Sequence, residues 1–412
     1  MTEFMKKYKL KITVLSPVHI GAATDLEPTE YVIYSGKREA ELSQKQTDSA
    51  VICPECGYKN PASAKFCGSC DSELPRQAAP VKQTTAQAAA DSYLYTFTPG
   101  QLSDALSDAD KTLLLKEAKK GDLMALQNFF KNKAAAIVKT ARKRAFVCPE
   151  VAKKYDEKFG RTNSGNNEFN RFIIERQISD PVTGLPYIPG SSIKGAIRTA
   201  LMSAKNEKRK LDKGLYKKAA DAEKDLYDYK NPTNDPFKAL KIEDGLASTP
   251  FITSIDTAEN FKRKMNAASG QRVSTYMEVV PAGTVFESSL SIMQNEVFPD
   301  DMASIQLACN DFYSDILFDQ EDHQIHTHGI SAALFEKIRK SVEKPRHAFL
   351  LCLGKHGGAE SKTIDGLRII RIMQGKGKPA RFDDHATTYW FANDGRERLP
   401  FGWCVVEFEE EK

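Results

Sequence analysis

Apolar and polar residues alternate with a period of two near the start of the chain. In Lys7–Ser16 the residues Tyr8, Leu10, Ile12 and Val14 share one face. Successive side chains of a strand point to opposite faces, so this pattern predicts a half-buried β-strand. Similar runs predict further strands at Thr29–Tyr34, Ser92–Phe97, Phe169–Ile174, Thr249–Asp256, Tyr276–Val280, Thr284–Ile292, Phe349–Leu353 and Val405–Phe408.

A helical period replaces the strand period in the middle of the chain. Isoleucine or leucine recurs every four residues over Ile193–Leu201, which predicts an amphipathic helix. The turn dipeptide Pro189-Gly190 precedes it, and the hydroxyl of Ser191 or Ser192 is the expected N-cap. Apolar faces predict other helices at Pro99–Cys148, Ala303–Phe318 and Ile330–Glu343. Strands and helices without a long parallel βαβ series predict an α+β fold.

Two cations lie next to the apolar stripe of this central helix. Lys194 and Arg198 follow the expected helix start, where free N–H groups and the positive end of the helix dipole attract anions. One interpretation is therefore a phosphate site. The alternative is a core helix whose lysine and arginine are only solvated, and the segment alone favours neither.

Composition changes this picture only modestly. The 412 residues predict two domains with real cores, since 41% are hydrophobic. The net charge of +4 does not by itself indicate nucleic-acid binding, but positive charge is concentrated in Lys131–Lys158, Lys194–Lys218 and Lys355–Arg381, which favours a polyanionic partner. No apolar run reaches membrane-spanning length and no signal-peptide core follows the start, so we expect a cytoplasmic protein without membrane contact.

Almost sixty residues separate the strands at Thr29–Tyr34 and Ser92–Phe97, too many for a hairpin loop. This insertion carries two Cys-x-x-Cys pairs, formed by Cys53, Cys56, Cys67 and Cys70. Four thiolates complete a closed tetrahedral shell, so the spacing predicts a structural zinc ion in a small zinc ribbon. Two disulfides are the alternative, which a reducing compartment disfavours. The polar segment Arg76–Ala90 is the expected tether.

Several motifs resemble those of the CRISPR RAMP proteins, and among these most closely the fifth, guide-RNA end-capping subunit of the type III-A Csm effector complex. They are LSPVHIGAA, IPGSSIKGAIR, YMEVVPAGTVF, LGKHGGAESKTIDGLR and LPFGW, spread over the whole chain. The resemblance implies two ferredoxin-like (RRM-type) domains. We expect an N-terminal domain at 1–35 plus 92–235 with a helical insertion, the zinc ribbon and tether at 36–91, and a C-terminal domain at 236–412.

The resemblance also implies a glycine-rich loop that contacts guide-RNA phosphate and sugar, here Gly354–Gly358 with cations around it. We expect this loop and the turn and helix at 189–198 to converge on one sugar–phosphate strand. The candidate RNA-binding residues are Ser191, Ser192, Lys194, Arg198, Lys355, His356, Gly357, Gly358, Arg368, Arg371 and Lys376. Phosphate contacts by these cations would carry affinity but little sequence information.

The function implied is a non-catalytic RNA-binding subunit that caps the filament at the 3′ portion of the guide RNA and supports crRNA maturation in antiviral defence. The expected partners are guide RNA, target RNA, the other Csm subunits (chiefly the filament backbone subunit) and host nucleases. One alternative is an endoribonuclease that uses His19 or Asp25, although His19 beside apolar neighbours is more typical of a packed histidine with one hydrogen bond. Another is a zinc-dependent protein-interaction adaptor.

A third possible site lies in Asp319–His328, where His323, His326 and His328 stand beside acids. Histidines and carboxylates are metal ligands, which would suggest a catalytic metal. The segment lacks an apolar frame and a helical His-x-x-x-His pair, so we expect a surface loop.

Overall fold

The structure is a computed structural model. It describes residues 5–35, 51–53, 55–56, 59–60, 66, 68–70, 72, 91–161, 172–216, 218–263, 273–293, 298–343, 346–373 and 377–411.

Strands and helices alternate irregularly along the chain, which confirms the predicted α+β class. The strands are β1 Met5–Val14, β2 Tyr31–Ser35, β3 Val51–Ile52, β4 Lys59–Asn60, β5 Ser92–Thr96, β6 Arg142–Val147, β7 Ile174–Glu175, β8 Tyr187–Ile188, β9 Leu240–Ile242, β10 Gly245–Ala247, β11 Thr253–Lys262, β12 Ser274–Val279, β13 Val285–Met293, β14 Ala348–Cys352, β15 Ile370–Ile372, β16 Arg381–Asp383, β17 Thr388–Asn393, β18 Arg398–Pro400 and β19 Trp403–Glu410. The α-helices are α1 Pro99–Ala105, α2 Asp108–Lys120, α3 Leu123–Ile137, α4 Pro149–Lys158, α5 Gly190–Arg209, α6 Ala219–Leu226, α7 Met302–His328 and α8 Ala332–Glu343.

The chain forms two compact units, one comprising residues 1–26 and 173–412 and the other residues 27–172. These bounds differ from the expected division at residue 235. The reason is that β1 pairs antiparallel with both β13 and β19, so the first strand belongs to the same sheet as strands near the other end of the chain. The expectation of two ferredoxin-like domains remains a prediction.

The first unit is built on a sheet with the strand order β14-β19-β1-β13-β10-β8, in which β9 also pairs with β13. Its central strand β1 has the predicted alternation, with Tyr8, Leu10, Ile12 and Val14 buried. Lys11 lies on the other face and pairs with Glu407 across the neighbouring strand at 2.8 Å.

Helices α5, α7 and α8 pack on the buried face of this sheet. Ile193, Ile197 and Leu201 of α5 are buried, which confirms the predicted apolar stripe. The α5 and α7 helices are joined by a buried hydrogen bond of 3.1 Å from the Tyr313 hydroxyl to the Ala196 carbonyl.

A second set of strands in the first unit has the order β18-β17-β11-β12-β7. Its β12 carries the YMEVVP motif, and β17 carries Trp390 and the buried Phe391. A separate two-stranded antiparallel ribbon consists of β15 and β16.

The second unit contains the antiparallel strands β2, β5 and β6 with helices α1 to α4. The predicted pairing of the second strand with Ser92–Phe97 is confirmed, since Tyr31 lies opposite Thr96. Phe129 and Phe130 of α3 pack in its core. The expected helical region Pro99–Cys148 is wrong at its end, where Arg142–Val147 forms a strand against β5.

The expected surface loop at Asp319–His328 is also wrong, because α7 continues to His328 and ends at Gly329 in a left-handed conformation. Within it, His323 Nδ1 lies 3.0 Å from the Asp319 carbonyl one turn earlier. None of the three histidines belongs to a metal-ligand cluster among the described residues. Of the helices described, none combines the length and apolarity needed to cross a bilayer.

Candidate nucleic-acid interface

At the start of α5, Gly190 lies directly against the backbone at the end of β9. A Cβ atom at Gly190 would be 2.3 Å from the Ile242 carbonyl oxygen, so only glycine fits. The Gly190 N–H donates to Asp244 Oδ1 at 2.7 Å. The N-cap is Pro189, without a side-chain cap, so the expectation that a serine caps this helix is wrong. Ser191 and Ser192 lie inside the first turn, and a carboxylate of the protein already binds the helix start.

Lys194 lies one turn into α5 and is partly buried. Its ammonium donates to the Leu240 carbonyl at 2.8 Å. Burial, with Lys241 nearby, lowers the pKa of Lys194. Lys194 also lines a cavity of about 310 Å³ together with Ser191, Lys241, Ser289 and Ser291. Glu243 lines the cavity as well, so two ammonium groups and three hydroxyls stand against one carboxylate, and this balance suits an anion. The alternation of β13, which turns Ser289 and Ser291 away from the core, is the sequence signal that could have identified these serines.

Arg198 is held by the protein itself. Its guanidinium donates two hydrogen bonds to Asp235, at 2.8 and 3.1 Å, and one to Glu223 at 3.0 Å. It also contacts the Tyr229 hydroxyl at 2.9 Å and lies 4.4 Å from the centroid of the Phe237 ring. For this residue the core-helix interpretation is the better one, because both terminal nitrogens of the guanidinium already have partners in the protein.

The glycine-rich loop after β14 packs on another motif of the chain, the turn that contains His19. Gly354 has φ of +77°, and a Cβ there would be 2.2 Å from the His19 carbonyl oxygen. That same oxygen accepts the Lys355 N–H at 2.7 Å. A Cβ at Gly357 would be 2.4 Å from Cys352 Sγ. The close backbone approach predicted for these glycines is therefore to the protein, and Gly357 is buried.

His356 stacks on Trp390, with ring centroids 4.1 Å apart and an angle of 25° between the planes. Its φ of +69° is in the left-handed region, which this stack helps to hold. Burial, together with the nearby Lys355, lowers the pKa of His356 to about 4. At neutral pH it is an uncharged packed ring rather than a phosphate-binding cation.

His19 is fully buried and makes one hydrogen bond, 2.7 Å from Nδ1 to the Glu278 carbonyl oxygen. This confirms the expectation of a packed histidine. Burial lowers the pKa of His19, against the opposing effect of Glu175, whose Oε2 lies 3.8 Å from His19 Nε2. The same Glu175 oxygen accepts from Lys355 at 2.5 Å.

Glu278 connects its own motif, YMEVVPAGTVF, with the turn that contains His19. Its carboxylate accepts the Gln177 N–H at 3.0 Å and the Thr253 hydroxyl at 2.8 Å, both buried. Gln177 in turn accepts the Ile20 N–H at 2.8 Å. The side chain of Glu278 therefore links the His19 turn to two other segments. Asp25, the other proposed catalytic residue, is exposed and has no hydrogen-bond or ion-pair partner in the described part of the chain.

The expected convergence of the helix start and the glycine-rich loop is wrong. β8 leads into α5 at one edge of the sheet, and β14 leads into the loop at the other edge. Five inter-strand steps of about 4.8 Å separate these edges, roughly 24 Å in total. The two strands also run in opposite directions, so the two segments leave the sheet at opposite ends.

The ribbon β15–β16 carries further cations of the basic segment Lys355–Arg381. Arg371 on β15 and Lys378 before β16 are exposed and have no hydrogen-bond or ion-pair partner among the residues described. The ribbon also exposes Met373 and Phe382, at 74% and 60%. Arg368 differs, because its side chain is only 14% exposed and pairs with Asp365 at 2.7 Å. Lys376 lies outside the described residues.

Three of the four predicted zinc ligands lie together. The sulfur atoms of Cys53, Cys56 and Cys70 all lie within 4.8 Å of one another. Cys53 Sγ and Cys70 Sγ are 3.6 Å apart. A tetrahedral ion with Zn–S bonds of about 2.3 Å separates its sulfurs by about 3.8 Å, so this arrangement fits a metal ion. Cys67 lies outside the described residues.

Two of the three comparisons with known proteins find matches. A search of curated proteins finds no match. The chain is similar to a chain in the cryo-EM structure of a Csm–crRNA–target RNA ternary complex in a type III-A CRISPR-Cas system, with 16% identity and a TM-score of 0.53, over 97% of this chain and 100% of that one. It is also similar to the crystal structure of T. onnurineus Csm5, with 15% identity and a TM-score of 0.51, over 96% of this chain and 99% of that one.

At these identities the structural matches establish a common fold over almost the full length of each chain. The family is shown by a separate comparison, since the model of the RAMP superfamily matches residues 11–317, more than half of the sequence. The chain therefore belongs to the RAMP superfamily.

Proposed function

We propose that this chain is a non-catalytic RNA-binding subunit of a cytoplasmic type III-A CRISPR effector complex, located at the 3′ portion of the guide RNA. The observation that carries the proposal is the match, over almost the full length, to two solved structures. One is a chain of a Csm–crRNA–target RNA complex and the other is Csm5. The partners we propose are crRNA, target RNA and neighbouring Csm subunits, chiefly the filament backbone subunit. In this role it would support crRNA maturation, with host nucleases trimming the guide.

The first contacts proposed for RNA are Arg371 and Lys378 of the ribbon, which are exposed and have no hydrogen-bond or ion-pair partner among the described residues. Lys355, on the glycine-rich loop near Gly358, has a side chain that is 49% exposed and would exchange its ion pair with Glu175 for a phosphate. Exposed lysine and arginine side chains gain most from phosphate contact when they have no internal partner to give up. The exposed Met373 and Phe382 beside them offer apolar surface for unstacked bases.

The start of α5 is proposed as a second, separate phosphate position. Ser191, Lys194 and Lys241 line its cavity, next to the first turn that contains Ser192. Arg198 and Arg368 hold acidic side chains of the protein, and His356 is stacked and uncharged at neutral pH. We assign these three residues to the fold rather than to RNA.

We propose that the chain does not cleave RNA because of the surroundings of the two candidate catalytic residues. His19 is completely buried beneath its own turn and uses Nδ1 internally, so it does not reach a scissile phosphate. Asp25 is exposed and has no hydrogen-bond or ion-pair partner among the residues the structure describes.

A binding assay with a nuclease control tests the proposal. The purified chain should bind the 3′ portion of a guide RNA and leave a repeat-containing precursor intact, with and without Mg²⁺. Charge reversal by Arg371→Glu with Lys378→Glu should weaken binding by at least about tenfold, and reversal of two exposed lysines of α2, Lys116→Glu with Lys119→Glu, serves as the matched control. Cleavage that disappears in His19→Ala or Asp25→Ala would instead establish the endoribonuclease.

For the cysteine cluster we propose a structural zinc ion held by Cys53, Cys56, Cys67 and Cys70. The support is the placement of three thiols at zinc-like separations beside the β3–β4 hairpin. The purified chain should contain one equivalent of zinc, and Cys56→Ser or Cys67→Ser should reduce it by more than half. Ser72→Ala is the control, since Ser72 contacts Cys53 Sγ at 3.1 Å without being a predicted ligand. Equal zinc content in all variants would exclude the site.

A further inference from the structure

The first unit contains an acidic cavity that plays no part in the proposed RNA binding. It has a volume of about 310 Å³ and lies between α5, α7 and the segment 360–368. Six carboxylates line it, from Glu207, Asp311, Asp315, Asp319, Glu360 and Asp365. In a chain whose net charge is +4, such a concentration of negative charge repels RNA and attracts a cation.

Three of these carboxylates are already paired within the protein, with two arginines between them. Arg263 binds Asp319 at 2.6 Å and Glu360 at 3.4 Å, and Arg368 binds Asp365 at 2.7 Å. The other three, Glu207, Asp311 and Asp315, have no hydrogen-bond or ion-pair partner in the described part of the chain. Burial, followed by the charges of Asp311 and Asp365, raises the pKa of Asp315. The cavity therefore has unbalanced negative charge.

The floor of the cavity is apolar. Ala308, Phe312 and Ile316 of α7 line it and are buried. Tyr389 lines it as well, with a side chain only 6% exposed, and its hydroxyl has no hydrogen-bond partner in the described structure. A buried hydroxyl without a partner is costly, so a group that donates to its oxygen would be favoured there.

A single metal ion does not fit this arrangement. Among the described residues, the one group with three ligand atoms close enough for a common ion is the cysteine cluster. The carboxylates of the cavity are spread around an apolar floor rather than gathered at one point. Spread charges over an apolar floor suit an extended cation with a methylene chain, whose ammonium ends reach the acids while the chain covers the aromatic and aliphatic surface.

We propose that this cavity binds an aliphatic ammonium ligand. Asp311, Asp315 and Glu207 would receive its charged ends, Phe312 and Ile316 its methylene groups, and the Tyr389 hydroxyl one of its N–H donors. Two sources supply this chemistry: a free polyamine, or lysine side chains of a partner protein.

Isothermal titration of the full-length chain with spermidine tests the proposal. The double variant Asp311→Asn with Asp315→Asn should bind spermidine at least tenfold more weakly, and both positions are exposed, so folding should be kept. The control Glu409→Gln with Glu411→Gln removes the same charge from exposed positions of the β19 segment and should bind as the wild type does. Tyr389→Phe, which keeps the ring, should bind about threefold more weakly.

Two further arms distinguish the ligand. In one arm a short lysine-rich peptide replaces spermidine. The ligand that binds more tightly to the wild type, and whose binding is lost in the aspartate variant, identifies the source. In the other, Mg²⁺ competes with spermidine at constant ionic strength and should have little effect. Displacement by equimolar Mg²⁺, or equal spermidine affinity in the wild type and the aspartate variant, would overturn the proposal.

Discussion

Helix α5, inside one of the family motifs, and the ribbon β15–β16, just beyond another, carry the same kind of cation in different surroundings. Arg198 of α5 has four partners, formed by two carboxylates, a hydroxyl and an aromatic ring. Arg371 of the ribbon is exposed and has none in the described structure. The difference teaches that a cation is available to a ligand only where the fold has not already paired it.

The largest effect that separates the two arginines should be on stability. Arg198→Ala leaves Asp235 and Glu223 without their counter-charge in a partly buried site, so the free energy of unfolding should fall by about 4 kcal/mol. Arg371→Ala, its matched control, should change it by less than about 0.5 kcal/mol. Urea unfolding of both variants measures this. A stable Arg198→Ala protein that binds RNA poorly would reverse the assignment.

The two glycines of α5 sharpen the same comparison, because one is packed and the other is not. Gly190→Ala places a methyl group 2.3 Å from the Ile242 carbonyl oxygen and should cost about 3 kcal/mol. Gly195→Ala meets no atom within 4 Å in a helix interior and should stabilise by about 0.5 to 1 kcal/mol. Thermal unfolding of the Gly190→Ala and Gly195→Ala variants measures both changes in stability. Equal changes would show that the backbone does not exclude a side chain at Gly190.

The lowered pKa of His356 can be tested by the pH dependence of the free energy of unfolding. Its folded pKa, about 4, is below the unfolded value of 6.5, so the unfolded chain binds the extra proton first and stability is lost as pH falls below 6.5. Relative to His356→Phe, the wild type should lose about 2 kcal/mol between pH 7.5 and 5. Denaturant unfolding at both pH values measures the difference, with His385→Asn, a change at an exposed histidine, as the control. A wild type that gains stability on acidification would show a charged, ligand-facing His356.

Much of the fold and of the candidate site could be predicted from local sequence, and some of it could not. The alternation in β1, the stripe in α5 and the cysteine spacing depend on neighbours in sequence, and the structure agrees with them. The capping of α5 by Asp244 and the neutralisation of Arg198 by Asp235 depend on residues 54 and 37 positions away. Periodicity carries no information about such contacts.

The same limit explains the two places where elements were predicted wrongly. The end of α7 is polar, and the packing of His328 against the rings of Tyr389 and Phe391 on β17, rather than an apolar period, accompanies its extension to this residue. β6 contains three consecutive cations, and its pairing with β5 overrides that composition. The separation of the helix start from the glycine-rich loop follows from strand order, which no single motif records.

The most direct test of the central claim, that RNA is held by cations free of internal partners, is the salt dependence of guide-RNA binding. Arg371→Ala with Lys378→Ala should weaken binding of the 3′ portion of the guide about tenfold, which is about 1.4 kcal/mol, and reduce the slope of log K against log salt by about 1.4. Lys116→Ala with Lys119→Ala, an exposed pair on α2 without internal partners, is the matched control and should leave both quantities near their wild-type values. An unchanged affinity and slope in the ribbon variant, or an equal loss in both variants, would contradict the claim.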